Sequence, residues 1–259
     1  MSVIVAALLL GAGVQAEPIK AAPPPAVAAR PADWALRVER GTALAQSMQP
    51  EDVVIGATMK ALGQGLAKSL HDNPEIQQIE ASYPGFIDRY AAAAQPPLEK
   101  LFRKRMPELW GRMGEALAAN MTVAEIDQAA TFYAGAAGQH MIRLGTENVD
   151  LQPYVAAGVN AGTSSAAENQ AEKEKMAKGM TGALFATLGA MSQGERDAFS
   201  AFIVSQAGRA IAKAGPSLTA ASENWMSEDD PDATAAMASV AQGVMLDLQA
   251  SKAKPVRTK

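Results

Sequence analysis

Two stretches of 25 residues, 70 positions apart and aligned without a gap, constrain this chain more than any other feature. They read MTVAEIDQAATFYAGAAGQHMIRLG at 121–145 and MSQGERDAFSAFIVSQAGRAIAKAG at 191–215. Identities fall at Met121/Met191, Glu125/Glu195, Asp127/Asp197, Phe132/Phe202, Ala137/Ala207, Gly138/Gly208 and Gly145/Gly215. Roughly two matches are expected by chance in an alanine-rich chain, so an internal duplication is the better account.

Each copy reads as a helical hairpin. Thr122 and Ser192 are candidate N-caps, and Glu125 and Glu195 follow at capping-box spacing. The first helix runs about three turns to Phe132 or Phe202, where Gly135 or Ser205 breaks it and caps a second short helix. Gly138 and Gly208 fall in the first turn of that second helix, where a missing side chain permits close helix approach. Gly145 and Gly215 are expected to end each unit as left-handed C-caps, with Arg143 and Lys213 placed against the helix dipole. All of these are folding roles.

The remainder also predicts helix, because alanine dominates and no stretch alternates apolar and polar residues with β-branched enrichment. One helix is expected over Asp33–Met48. A second begins at Glu51-Asp52 and carries Val54, Ile55, Met59, Leu62, Leu66 and Leu70, and a third spans Pro74 to Ser82. A long run from Phe86 through Leu117 should break at Pro96-Pro97 and kink at Pro107. Ser164-Ser165 should open a helix through Leu188, Pro216 another through Trp225, and Asp232–Leu248 a last one. The fold class is therefore all-α: a helical bundle or elongated helical array over 33–248, containing two related hairpins, with a basic tail at 249–259.

The N-terminus points to export. Residues 1–16, MSVIVAALLLGAGVQA, carry no charge and end in small residues, as in a signal peptide whose basic region is missing. The run is too short for a membrane anchor, which needs about 20 apolar residues. The Pro/Ala-rich stretch 17–32, with Pro23, Pro24 and Pro25, reads as a linker of extended polyproline type. A periplasmic location is expected, with no transmembrane segment in the mature chain.

Composition excludes several chemistries. The absence of cysteine rules out thiolate-ligated zinc, iron–sulfur clusters, thiol nucleophiles and disulfides. A net charge of −4 and a pI near 5.3 argue against nucleic acid as a partner. The short basic cluster Lys100, Arg103, Lys104 and Arg105 reads as a solvated helix face. The chain contains no HExxH pair, calcium loop, nucleophile elbow or Walker loop. Gly63-Gln64-Gly65 lacks the strand that a dinucleotide site requires. The thirteen methionines are scattered, and Met176 and Met180 sit at core spacing. Of the two histidines, His71 lies in a turn-like His-Asp-Asn-Pro run. His140 aligns with Ala210 in the other copy, so the hairpin itself does not require it, which makes it the better functional candidate. No catalytic, cofactor-binding or metal-binding residue is assigned.

The segment with Thr122, Glu125, Phe132, Tyr133 and Gly138 resembles the bacterial domain of unknown function 2059 family, which shows a capped helix, Phe-Tyr, a Ser-Pro-x-Gly turn and a second short helix. Here Gly135 and Ala136 stand where Ser and Pro are usual. In the second copy Phe202, Ser205 and Gly208 match, while Ile203 and Gln206 depart. The resemblance covers about 25 residues per copy, joined by Pro107-Glu108-Leu109-Trp110 upstream. It implies an all-helical exported protein and brings no activity. The leading functional expectation is a non-enzymatic envelope protein that binds a protein partner. The alternative is binding of a lipid or other apolar ligand between helices. A hydrolase would need Glu125, Glu195 and Asp127 for catalysis rather than for capping.

Overall fold

The protein is described by a computed structural model covering residues 30–148, 179, 182, 183, 185–228 and 230–253. Among these the secondary structure is helical throughout, without a strand, so the chain is all-α. The elements are α1 (Trp34–Met48), α2 (Glu51–His71), α3 (Pro74–Ser82), α4 (Phe86–Asn120), α5 (Val123–Ala134), α6 (Ala136–Asn148), α7 (Gln193–Val204), α8 (Gln206–Ser227) and α9 (Pro231–Ala253). Residues 185–190, just ahead of α7, are also helical. The leader 1–16, most of the linker, the segment 149–178 with Met176, and also Met180 and Leu184 lie outside the described residues.

The contacts divide into two compact units. The first holds α1, α4 from Pro107 onward, and α5 to α8; the second holds α2 from Asp52, α3, α4 as far as Met106, and α9.

In the first unit α1 makes the broadest of the helix contacts, against α5. It also crosses α4 at a pair of glycines. A Cβ on Gly41 would stand 2.7 Å from the Gly114 carbonyl oxygen, and one on Gly114 would stand 2.7 Å from the Thr42 nitrogen. The backbones therefore meet where only hydrogen atoms fit between them. Two polar ties fix α1 and its exit: the Arg37 guanidinium donates to the Met121 carbonyl at 3.0 Å, and the Trp110 indole N–H donates to the Gln49 carbonyl at 3.1 Å. Leu44, Met48, Leu109, Met113, Leu117, Ile126, Tyr133, Ile211 and Trp225 are buried in this unit.

The second unit has its own core, built from Leu66 and Leu70 on α2, Phe86, Ile87, Ala91 and Ala94 on α4, and Val244 and Leu248 on α9, with Ile76 and Ile79 of α3 packed against it. His71 closes α2, and the Asn73 side chain caps α3 by accepting from the N–H groups of Glu75 and Ile76. The run His71-Asp72-Asn73-Pro74 is thus a connection between helices. The turn into α4 uses Gly85 at φ +85, a left-handed value that a side chain disfavours. The Glu80 carboxylate accepts from the N–H groups of Gly85 at 2.6 Å and Ile87 at 2.9 Å. Those two donors, with the Ile87 bond foremost, hold its pKa below the ordinary carboxylate value.

Several elements depart from what the sequence suggested. The helix α4 is continuous through Pro96-Pro97 and Pro107. Each proline removes a donor, but the carbonyls left over at the first pair belong to Ala92 and Ala93, which are exposed and open to water, while Ala91 and Ala94 are buried and hold the turn in place. Pro107 coincides with the boundary between the two units. Gly145 and Gly215 are not C-caps, because α6 continues to Asn148 and α8 to Ser227, and the only positive-φ glycine among the described residues is Gly85. Arg143 accordingly lies inside α6. Pro216 does not start a helix but sits within α8 on its exposed side, flanked by buried Ala214 and Leu218.

The basic cluster of α4 lies on a face that is exposed at Lys100 and Lys104 and carries ion pairs there: Arg103 reaches Asp52 at 3.0 Å and Glu99 at 3.1 Å, Lys104 reaches Asp232 at 2.6 Å, and Arg105 reaches Asp230 at 3.6 Å. These pairs join α4 to α2 and to the start of α9. The helix α9 extends five residues beyond the expected end, so 249–253 are helical rather than part of a tail.

Candidate functional site

The two repeated segments adopt the same course. In each, the N-cap hydroxyl accepts from the N–H of the third helical residue at 3.3 Å, and the glutamate there returns a bond from Oε2 to the N-cap N–H at 2.8 Å. Both capping boxes are complete. The first helix of each pair ends at a residue in extended conformation, Gly135 or Ser205, whose N–H donates to the Phe132 or Phe202 carbonyl. A Cβ on Gly138 would stand 2.7 Å from the Tyr133 Cα, and one on Gly208 would stand 2.8 Å from the Ile203 Cα. The expected close approach is therefore real in both copies, and it is directed at the last turn of the preceding helix.

The hairpins pack on one another as equivalent partners. The α5–α8 contact becomes the α6–α7 contact when every residue is shifted by 70 positions, and both contacts are present. Phe132 stacks on its own counterpart Phe202, with ring centroids 4.1 Å apart and planes 3° from parallel. A residue meeting its own equivalent is the mark of a two-fold-like arrangement. Tyr133 packs edge-on against Phe202 at 5.7 Å.

Equivalence ends at two places. At the first, His140 Nδ1 lies 2.6 Å from Glu195 Oε1. A carboxylate can only accept, so the imidazole proton resides on Nδ1. The Ser192 backbone N–H, the Ser192 hydroxyl and this imidazole hold the Glu195 carboxyl down at about 2. In the other copy Ala210 replaces the histidine. There a cleft of about 490 Å³ opens between α5 and α8, and its walls include Glu125, Gln128, Gln206, Arg209, Ala210 and Lys213.

The second difference is cover. Tyr133 is completely buried on α5, the helix along which α1 lies. Burial pushes its phenol well above the ordinary tyrosine value, and the hydroxyl has no hydrogen-bond partner among the described residues. Its counterpart Ile203 is 40% exposed, and the neighbouring Val204 is 66% exposed.

Of the residues weighed from sequence, His71 stands at the end of α2, 3.9 Å from Asp88, in the other unit. His140 gains a carboxylate partner from the second copy, a pairing that sequence reasoning missed. The signal lay in the repeat itself: a histidine in one copy opposite an alanine in the other. Glu125 and Glu195 stand at separate helix starts, and Asp127 lies 4.0 Å from Arg40. Three or more potential metal ligands do not cluster anywhere among the described residues, and no described helix is long and apolar enough to cross a membrane. No family model, curated protein or solved structure matches the chain.

Proposed function

We propose that this chain is an exported, non-enzymatic protein of the bacterial envelope that holds a protein partner through an open helical face, and that its hairpins arose by duplication within a member of the domain of unknown function 2059 family. The observation that carries the partner reading is the unequal cover of equivalent positions. Tyr133 is buried on α5, against which α1 packs, whereas its equivalent Ile203 is exposed on α7 beside Val204, whose own equivalent Ala134 is exposed as well. The packing of α1 on α5 supplies the pattern for the occupant: an amphipathic helix laid along α7. Export is supported by the uncharged apolar leader and the Pro/Ala linker. The alternative, a lipid or other apolar ligand, has weaker support, because the cleft between α5 and α8 is walled by a carboxylate, two cations and amides.

A photo-reactive amino acid at position 204 of the full-length chain, expressed in its native envelope, tests the reading. The expected result is a discrete protein adduct in the periplasmic fraction, lost in Ile203→Asp, on a chain whose mature form starts near Glu17. An adduct extractable only with lipid, or recovery of the chain solely from the cytoplasm, overturns it.

A further inference from the structure

We infer that the cleft between α5 and α8 is a binding site for a small zwitterion of the amino-acid type, with a basic nitrogen docked on Glu125 and an acidic group on Arg209 and Lys213.

The two capping-box glutamates differ in what their carboxylates meet. Each accepts with Oε2 from its N-cap N–H at 2.8 Å. Glu195 accepts with its second oxygen from the His140 imidazole. Glu125 Oε1 has no such partner among the described residues, because the side chain in the place of that imidazole is the methyl group of Ala210. The void stands where the other copy carries its donor.

The cleft is not simply the space left by a missing ring. Around it the residue types change in one direction. Gln128 stands where the other copy has Ala198, Gln206 where it has Ala136, and Arg209 where it has Gln139, while Lys213 keeps the cationic character of Arg143. Each change adds hydrogen-bonding capacity or charge at the wall. An apolar occupant would strip water from these groups without replacing it.

The chemistry of the walls selects the ligand. Glu125 Oε1 accepts from an N–H, best from a charged one. Arg209 and Lys213 lie one helical turn apart on α8 and together suit a carboxylate. One guanidinium nitrogen of Arg209 already donates to the Val204 carbonyl, and the remaining donors of its fork are left for the ligand. The amides of Gln128 and Gln206 add both donors and acceptors. At about 490 Å³ the cleft falls within the usual range of small-molecule sites, about 300–1,000 Å³. Histidine fits this description most closely, since its side chain reproduces the imidazole that fills the other copy.

Calorimetric titration of the full-length protein with L-histidine provides the test, with imidazole alone and acetate alone as half-ligands. Saturable binding of histidine is expected, at least tenfold tighter than either half-ligand. Ala210→His, which restores the side chain found in the other copy, should abolish it. Arg209→Gln, which installs the residue of the other copy, should weaken it about tenfold while circular dichroism and melting stay unchanged. Should Ala210→His fail to fold, Arg209→Gln and Gln128→Ala still decide the matter. Absence of saturable binding at 10 mM histidine, or equal binding by wild type and Arg209→Gln, overturns the proposal.

Discussion

The α5–α6 and α7–α8 hairpins are built alike and finished differently. Both use a hydroxyl N-cap with a reciprocating glutamate, a one-residue extended break, and a glycine pressed against the preceding turn. The finishing lies in side chains that backbone geometry does not dictate. One copy supplies His140 to the other's Glu195, while Ala210 leaves Glu125 facing a cleft. One helix is overlaid by α1, and its counterpart shows Ile203 and Val204 to solvent. Shared features maintain the fold, and the unshared ones are where a chain of this kind is free to acquire binding.

The largest expected effect lies where the hairpins meet. Phe202→Ala should cost about 3–5 kcal/mol in urea unfolding, since a buried aromatic is lost together with its stacking on Phe132. A loss under 1 kcal/mol would show that the two copies do not depend on each other. Next come Gly138→Ala and Gly208→Ala, each expected to destabilise by about 1–3 kcal/mol, because the new methyl meets backbone that cannot turn aside. The two values should agree closely, and a large difference would break the equivalence at its tightest point.

Smaller effects sharpen the contrast. Tyr133→Phe should raise stability by about 1 kcal/mol, as it deletes a buried hydroxyl that has no partner. Destabilisation would mean that the hydroxyl is satisfied in solution. Thr122→Ala and Ser192→Ala should each cost about 1 kcal/mol, read from thermal melts. The smallest effect is on pH. The folded-state pKa of Glu195 lies near 2, below the ordinary value of 4.5, so its contribution is full above about pH 4.5 and disappears as the pH falls toward 2. Acid titration of His140→Ala should show a shallower loss in that window. An unchanged acid limb would remove the imidazole from the account.

Local chemistry made much of the fold readable. The boundaries of α3, the two capping boxes, the breaks at Gly135 and Ser205, and the close approach at Gly138 and Gly208 each depend on residues within one or two turns. The errors fell where distant packing overrides local preference. Pro96, Pro97 and Pro216 look like helix breakers in isolation, yet buried alanines and a leucine beside them keep the helix continuous. Gly145 looks like a terminator, yet it is buried within α6. The partners of the basic run on α4, Asp52, Asp230 and Asp232, lie far away in sequence and carry no local signal.

The candidate site was only half legible. The alanine opposite His140 could be seen by aligning the copies, but which carboxylate receives the imidazole could not, because Glu195 is 55 positions from it. The cleft was invisible for the same reason: Glu125 and Ala210 carry no shared local signal. The sequence by itself determined helix, cap and turn, since those depend on backbone hydrogen bonds closed within a few residues. Only the tertiary structure decided which hairpin face is covered, which glutamate is partnered and where the chain divides into two units, because those outcomes arise from contacts between helices whose partners no local pattern names.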